Sequence, residues 1–476
     1  MFFDFTLQTS AQIEILKIAS HSLTPMMVLE NLSAKALLES AYQETGKGRY
    51  SLLLLSLSFC LTKENNSYYL LDDEKKITLN PLDETKDFLD WAETFKNLAP
   101  TTLQEDIPLP LGGIGYLGFE FFEEIEAIKN HKPKKLDTYD CAFMFGRDFL
   151  IFDHLYDCAF LISINYAKET HPLNLKEHIQ NLATKIKQIT PKPLPQENYN
   201  FTILPSDQEE YFITMVETIK KEIYQGNLLQ CVPSQTLQIQ SNLPPIQAYK
   251  RLRQNNPSPY MFYFDFENFQ ILGTSPEMMI KIENESITIH PIAGTRKRGK
   301  TIAQDLQLEQ ELKEDEKENA EHLMLVDLAR NDIGKVAKIG SIKIEKFKII
   351  ERYSKVMHIV SEVKGEFDQK KKNCKDAIFA TFPAGTVSGA PKIQAIKTLY
   401  TLEKYQRGIY GGLIGYFDTK GNFDSAIAIR TAIYQNQTYH LQAGAGIVQD
   451  SLPELELKET KNKMLALLSA ITESKE

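Results

Sequence analysis

Glutamate pairs at helical spacing occur in two distant parts of the chain. Glu318 and Glu321 lie in Asp315-Glu-Lys-Glu-Asn-Ala-Glu-His-Leu-Met-Leu-Val-Asp-Leu-Ala-Arg-Asn-Asp332, and Glu456 and Glu459 lie in Ser451-Leu-Pro-Glu-Leu-Glu-Leu-Lys-Glu-Thr460. Residues three apart share a helix face. Four carboxylates converging from two helices could hold one hard divalent cation such as magnesium, which takes oxygen ligands and leaves positions for an anionic substrate. Such pairs also decorate solvated helices, since Asp and Glu are mostly exposed, so the surrounding chain has to decide.

The elements that would carry these residues are partly visible. The helix with Glu318 and Glu321 has Leu323, Leu325, Val326 and Leu328 for burial. Ser451 and Glu454 read as a capping box with Pro453 in the first turn, which sets Glu456 and Glu459 near the positive end of the helix dipole; Leu457, Met464, Leu465 and Leu468 would anchor that helix. Another capping box, Ser206 with Glu209, opens a helix whose apolar residues Phe212, Met215, Val216, Ile219 and Ile223 recur until Gly226. Leu228 to Ser234 then reads as a strand with Gln230, Val232 and Ser234 on one face. Further strands are expected over 260–266, 270–274 and 277–283.

Residues 1 to about 190 read as strands with a few helices. Ala36 to Ser40 looks like a helix end or turn, Tyr50 to Phe59 like a strand buried on both faces, and Lys86 to Leu98 like an amphipathic helix. The Gly-rich stretch Gly112 to Phe119 lacks the context of a dinucleotide fingerprint. Tyr-Asp-Cys-Ala-Phe occurs at 139–143 and 156–160, which suggests adjacent antiparallel strands joined by a Gly-containing turn. The prolines of Thr190-Pro-Lys-Pro-Leu-Pro-Gln-Glu-Asn198 mark a linker, dividing an N-terminal regulatory or structural region, 1–190, from a catalytic region, 200–476.

The bulk properties exclude several classes. A chain of 476 residues, 42% hydrophobic and 25% charged, has the composition of a soluble globular protein with room for more than one domain. Its net charge of −9 and short basic runs argue against nucleic acid as a partner. The apolar run Leu52 to Leu61 is too short to cross a bilayer, and Met1-Phe-Phe-Asp-Phe-Thr has no signal-peptide pattern. Five cysteines without Cys-x-x-Cys spacing point to a reducing, cytoplasmic compartment.

Gly273-Thr-Ser-Pro-Glu277, Pro291-Ile-Ala-Gly-Thr-Arg-Lys-Arg-Gly299, Glu318 to Asp332, Arg352-Tyr-Ser-Lys-Val-Met-His358, Pro383-Ala-Gly-Thr-Val-Ser-Gly-Ala-Pro-Lys392, Arg407-Gly-Ile-Tyr-Gly-Gly412 and Ala443-Gly-Ala-Gly-Ile-Val448 stand in one order over more than half the chain. Together they resemble the chorismate-utilising enzymes, and among them the anthranilate synthase large subunits. The resemblance implies an α+β fold of large antiparallel β-sheets with outer helices, like that of aminodeoxychorismate synthase. It implies one magnesium held by the two pairs, with Glu321 and Glu459 direct ligands and Glu318 and Glu456 acting through water. Substrate contacts carried over in the same way are Gly294, Thr295, Thr386, Tyr410, Arg430, Gly444, Ala445, Gly446 and Lys463. Arg430 itself, in Ala428-Ile-Arg-Thr431, is expected in an apolar strand, where an unpaired charge is costly and calls for an anionic partner.

The family's reaction adds a nucleophile to the ring of chorismate while a hydroxyl leaves. Glu277 matches the general acid, which burial would keep protonated, and His358 the group that assists pyruvate loss and aromatisation. Relatives that use water carry a lysine where this chain has Gln230; an amide cannot accept a proton near neutral pH, whereas ammonia needs no activation. Aminodeoxychorismate synthase, the alternative from the folate branch, has a nucleophilic lysine where this chain has Ala293. The implied product is therefore anthranilate, on the route to tryptophan. No Gly-x-Cys-x-Gly motif surrounds any cysteine, so ammonia from glutamine requires a separate amidotransferase subunit. Ser40, Pro259, Tyr260 and Met261 resemble the family's tryptophan feedback site.

Overall fold

Successive leucines of the strand Tyr50–Glu64 enter two different hydrophobic cores, Leu52 and Leu54 one, Leu53 and Leu55 the other, as the two-residue period of a strand requires. A strand apolar on both faces has to lie inside a layered structure. The computed structural model describes residues 3–41, 48–72, 75–79, 86–101, 107–192, 199–206, 208–353 and 356–473. Its strands are joined in antiparallel pairs into a very large sheet, with helices packed outside and two principal cores between the layers. This is the expected α+β architecture.

The order of pairing explains how the site is held. From one end, Phe201–Ile203 pairs with Ser234–Ser241 and that with Thr438–Gly444, then come Thr431–Gln435, Gln270–Ser275, Tyr260–Asp265 and Ala36–Glu39. Ala36–Glu39 passes the sheet to Tyr50–Glu64 and Cys141–Asp153. Ile114–Leu117 returns it to Leu413–Phe417, Phe423–Ile427, Met278–Glu283, Ser286–Ile289 and Val356–Glu366. The strands of residues 1–190 thus stand between two sets from 200–476, and both regions share one hydrogen-bonded sheet. Residues 193–198 of the expected linker lie outside the described residues.

Several local expectations are corrected. Ala36–Glu39 is a strand, paired on both sides, because two neighbours outweigh the helix preference of Ala, Leu and Glu. The strand Cys141–Asp153 runs straight through Gly146, and the turn to Cys158–Asn165 falls at 154–157, so the two pentapeptides do not pair with each other. Leu228 to Ser234 divides into the short strand Gln230–Cys231, paired with Gly389–Ala390, and a longer one beginning at Ser234. Leu323 and Leu465 are exposed, while Val326, Ala329 and Leu467 are buried in their helices. Leu452, not Ser451, is the N-cap of helix Pro453–Thr472; the Ser451 hydroxyl instead accepts from the Val448 amide at 3.1 Å. Among the described residues no helix is long and apolar enough to cross a membrane.

Candidate active site

Helix Glu316–Gly334 lies on strands Ile292–Lys297 and Val356–Glu366, and helix Pro453–Thr472 lies on Thr438–Gly444. The first is capped by Asp315, whose side chain accepts from the Glu318 amide at 3.0 Å. These contacts turn the two glutamate pairs toward each other. Burial raises the pKa of Glu321, and the negative charges of Glu318 and Glu459 raise it further. Burial likewise raises Glu318 and Glu456. Cations offset part of this repulsion: Arg296 reaches Glu318 at 3.4 Å and Asp315 at 2.6 Å, and Lys463 reaches Glu459 at 2.7 Å. Gln230 donates from Nε2 to Glu321 at 3.2 Å. Among the described residues no group of three or more His, Cys, Asp or Glu side chains already stands in ligating geometry. The donor set itself, half-buried Glu318 and Glu321, buried Glu456 and exposed Glu459 repelling one another, is one that a divalent cation would relieve.

The glycine-rich turns close in on these carboxylates. A Cβ on Gly446 would fall 2.5 Å from Gln230 Nε2 and 3.6 Å from Glu321 Oε1. One on Gly444 would meet the Pro233 carbonyl at 2.7 Å and the Tyr410 hydroxyl at 2.9 Å, and Lys463 donates to the Gly444 carbonyl at 2.9 Å. Ala445 between them is fully buried. Gly294 has φ +64, and a Cβ there would approach Glu318 Oε2 to 3.2 Å. Only glycine allows backbone to come this near the acidic cluster.

Glu277 and His358 both lie within reach of the Arg430 charge. Burial pushes the Glu277 carboxyl up to about 7; the Thr386 hydroxyl, Lys463 and Arg430 work in the opposite direction. Thr386 Oγ1 lies buried beside it without a hydrogen bond of good geometry. His358 Nδ1 donates to the Gly294 carbonyl at 2.8 Å and lies 3.1 Å from the Thr295 hydroxyl. That bond puts the proton on Nδ1 and leaves Nε2 with a lone pair. Burial lowers the His358 pKa, so the ring is neutral near pH 7.

Arg430 corrects one expectation. It lies in the bend between Phe423–Ile427 and Thr431–Gln435, with φ +51, rather than within a strand. A left-handed arginine is a strained placement that the surroundings must enforce. The Thr274 amide donates to its carbonyl at 3.1 Å. Its guanidinium donates to the Lys463 carbonyl, and burial lowers its pKa while Tyr410, Glu459 and Glu277 favour the charge. Tyr410 is 7% exposed, and burial raises its hydroxyl to about 12. Gln230, Glu277, Gly294, Thr295, Glu318, Glu321, His358, Thr386, Tyr410, Arg430, Gly444, Gly446, Glu456, Glu459 and Lys463 are thus linked by contact or charge into one neighbourhood. Arg296 was missing from the expected set; its signal was its place at the end of Pro291-Ile-Ala-Gly-Thr-Arg296.

Ser40, Pro259, Tyr260 and Met261 meet elsewhere, around a separate cavity of about 450 Å³. The Ser40 hydroxyl there is buried and has no hydrogen-bond partner among the described residues. The Tyr260 hydroxyl donates to Asp424 at 3.0 Å.

A model of a family described as chorismate binding enzyme matches residues 50–469. The chain is 42% identical over 449 residues to anthranilate synthase component 1 of Spirochaeta aurantia, covering 93% of this chain and 92% of that one. It is 40% identical over 468 residues to the protein of that name from Aquifex aeolicus, covering 94% and 92%. Among solved structures, anthranilate synthase component I from Streptococcus pneumoniae aligns with TM-score 0.76 and 32% identity, over 94% of this chain and 98% of that one. The menaquinone-specific isochorismate synthase of Escherichia coli aligns with TM-score 0.73 at 18% identity, over 98% and 96%, a likeness of fold.

Proposed function

The chain belongs to the chorismate-binding enzyme family, and from that premise we propose that it is an anthranilate synthase large subunit, converting chorismate and ammonia to anthranilate and pyruvate. The observation that carries the choice of nucleophile is Gln230 beside Glu321. An amide cannot take a proton from water, so a nucleophile that needs no base is favoured. Ala293, 9% exposed on strand Ile292–Lys297, has no group for the covalent route of the folate-branch enzymes.

Arg430, Lys463 and the backbone of Gly444–Gly446 would bind the carboxylates of the substrate. Tyr410, Thr295 and Thr386 would orient it. Glu277, protonated in part at neutral pH, donates to the departing hydroxyl as ammonia adds to the ring. His358, neutral and held by the Gly294 carbonyl, then uses Nε2 to accept the ring proton as pyruvate leaves. The Glu318, Glu321, Glu456 and Glu459 carboxylates would hold magnesium, which when bound neutralises the ring carboxylate and stabilises charge developing in the ring.

The reading extends to regulation and assembly. The cavity at Ser40, Pro259, Tyr260 and Met261 would take tryptophan as feedback inhibitor, and the unpartnered Ser40 hydroxyl supports a polar ligand there. All five cysteines are free, four of them buried, which supports a cytoplasmic location and ammonia supplied by a separate glutaminase. The test is product analysis: the chain with chorismate, magnesium and an ammonium salt yields anthranilate, read by its fluorescence. Aminodeoxychorismate as the product, or equal turnover of glutamine by the chain alone, would defeat the proposal.

A further inference from the structure

Arg407 has no role in the chemistry above, yet it is 5% exposed and fully engaged. Its Nε and Nη2 donate to the two Glu403 oxygens, each at 2.7 Å. Nη2 donates also to the Val232 carbonyl at 2.6 Å, and Nη1 to the Val387 carbonyl at 2.7 Å. The guanidinium lies 4.5 Å from the Phe119 ring centre and 5.6 Å from that of Tyr410. Glu403 in turn accepts from the Ser234 amide at 2.9 Å and hydroxyl at 2.7 Å.

Three of these partners lie at or beside residues of the candidate site. Val232 is two residues from Gln230, Val387 follows Thr386, and Tyr410 packs against the guanidinium itself. Burying an ion pair is a poor route to stability, because desolvation offsets the attraction and apolar substitutes often do as well. A planar fork offers something else, fixed directions to several acceptors at once. We propose that Arg407 is a positioning residue whose guanidinium, oriented by Glu403, sets the relative placement of Gln230, Thr386 and Tyr410 around the substrate. The N-terminal region completes the arrangement: Phe119 stacks beneath the guanidinium, and Glu120 accepts from the Arg407 and Gly408 amides, each at 2.9 Å.

The proposal rests on the functional reading of those three residues. Its test is Arg407→Lys in the full chain, assayed with chorismate, magnesium and ammonium, beside circular dichroism. Lysine keeps the charge and loses the fork. The expected variant is folded, with kcat/KM lower by about 100-fold, the cost of a displacement near 1 Å, and with KM for chorismate raised as well as kcat lowered. A purely structural arginine would reduce the active fraction and leave KM unchanged, and that result overturns the proposal. If Arg407→Lys does not fold, Ser234→Ala removes one donor from Glu403 and keeps the ion pair; a raised KM supports the proposal and unchanged kinetics overturn it. No anthranilate from the wild-type chain overturns the functional reading and the proposal with it, whereas wild-type turnover beside an unchanged KM in the variant overturns the proposal alone.

Discussion

An acid that must donate near neutral pH has to be kept from ionising earlier, and Glu277 is held at about 7 by burial. If Glu277 is that acid, only its protonated form is active, and kcat/KM with ammonia held constant as the free base is expected to fall as pH rises through about 7. If His358 takes the ring proton it is needed neutral, and its lowered pKa puts the acidic limb below the ordinary histidine value of 6.5. Glu277→Gln is expected to remove the alkaline limb and lower kcat by about 10²–10⁴-fold; a glutamine variant that keeps the limb would assign it to another group. At this scale the sequence was informative where chemistry is tied to residue type. Motifs single out Glu277, His358 and the glutamate pairs, which the fold brings into one neighbourhood. Arg430 was legible as a charge needing an anionic partner, but not its bend, because φ +51 is imposed by neighbouring strands and the Thr274 hydrogen bond, which are distant in sequence.

Elements carry the site through two helices and the turns facing them. If the facing pairs hold magnesium, Glu321→Ala and Glu459→Ala should each weaken it, by at least about 10–100-fold, in titration calorimetry without substrate, while circular dichroism stays unchanged. Magnesium binding as tight as in wild type in both variants would sink the clamp. The Gly444 turn supports a separate prediction. A methyl there meets the Pro233 carbonyl at 2.7 Å and the Tyr410 hydroxyl at 2.9 Å, so Gly444→Ala should raise KM for chorismate about tenfold or more; a KM within twofold of wild type would show the turn to be slack. Helices were legible from periodicity, but their caps were not. Ser451 and Glu454 match a capping box, yet the serine is engaged by the Val448 amide, a competing local bond that spacing does not reveal. Ala36–Glu39 misled in the same way, since four residues hold little pattern and their two partner strands decide the outcome.

The whole molecule joins the remote cavity to the site through its shared sheet, and this was the least legible level, because no local pattern tells that Ala36–Glu39 pairs with Tyr260–Asp265 or Ile114–Leu117 with Leu413–Phe417. Met261 at the cavity faces Thr274 across the ladder, and the Thr274 amide holds the Arg430 carbonyl. Tyr260 holds Asp424 of strand Phe423–Ile427, whose Ile427 amide donates to the Glu277 carbonyl at 3.0 Å. A ligand that shifts Tyr260–Met261 would therefore act, one strand away, on the backbone of both Arg430 and Glu277. If tryptophan is that ligand, it should raise KM for chorismate, and by reciprocity chorismate should weaken tryptophan binding by the same factor. Filling the cavity tests the route without touching the chemistry: Ser40→Phe should abolish tryptophan binding in calorimetry and leave anthranilate formation in its absence within about twofold of wild type. Inhibition by tryptophan that survives in Ser40→Phe would move the regulatory site elsewhere, and inhibition without reciprocal weakening would mean that tryptophan lowers kcat and leaves the affinity for chorismate unchanged.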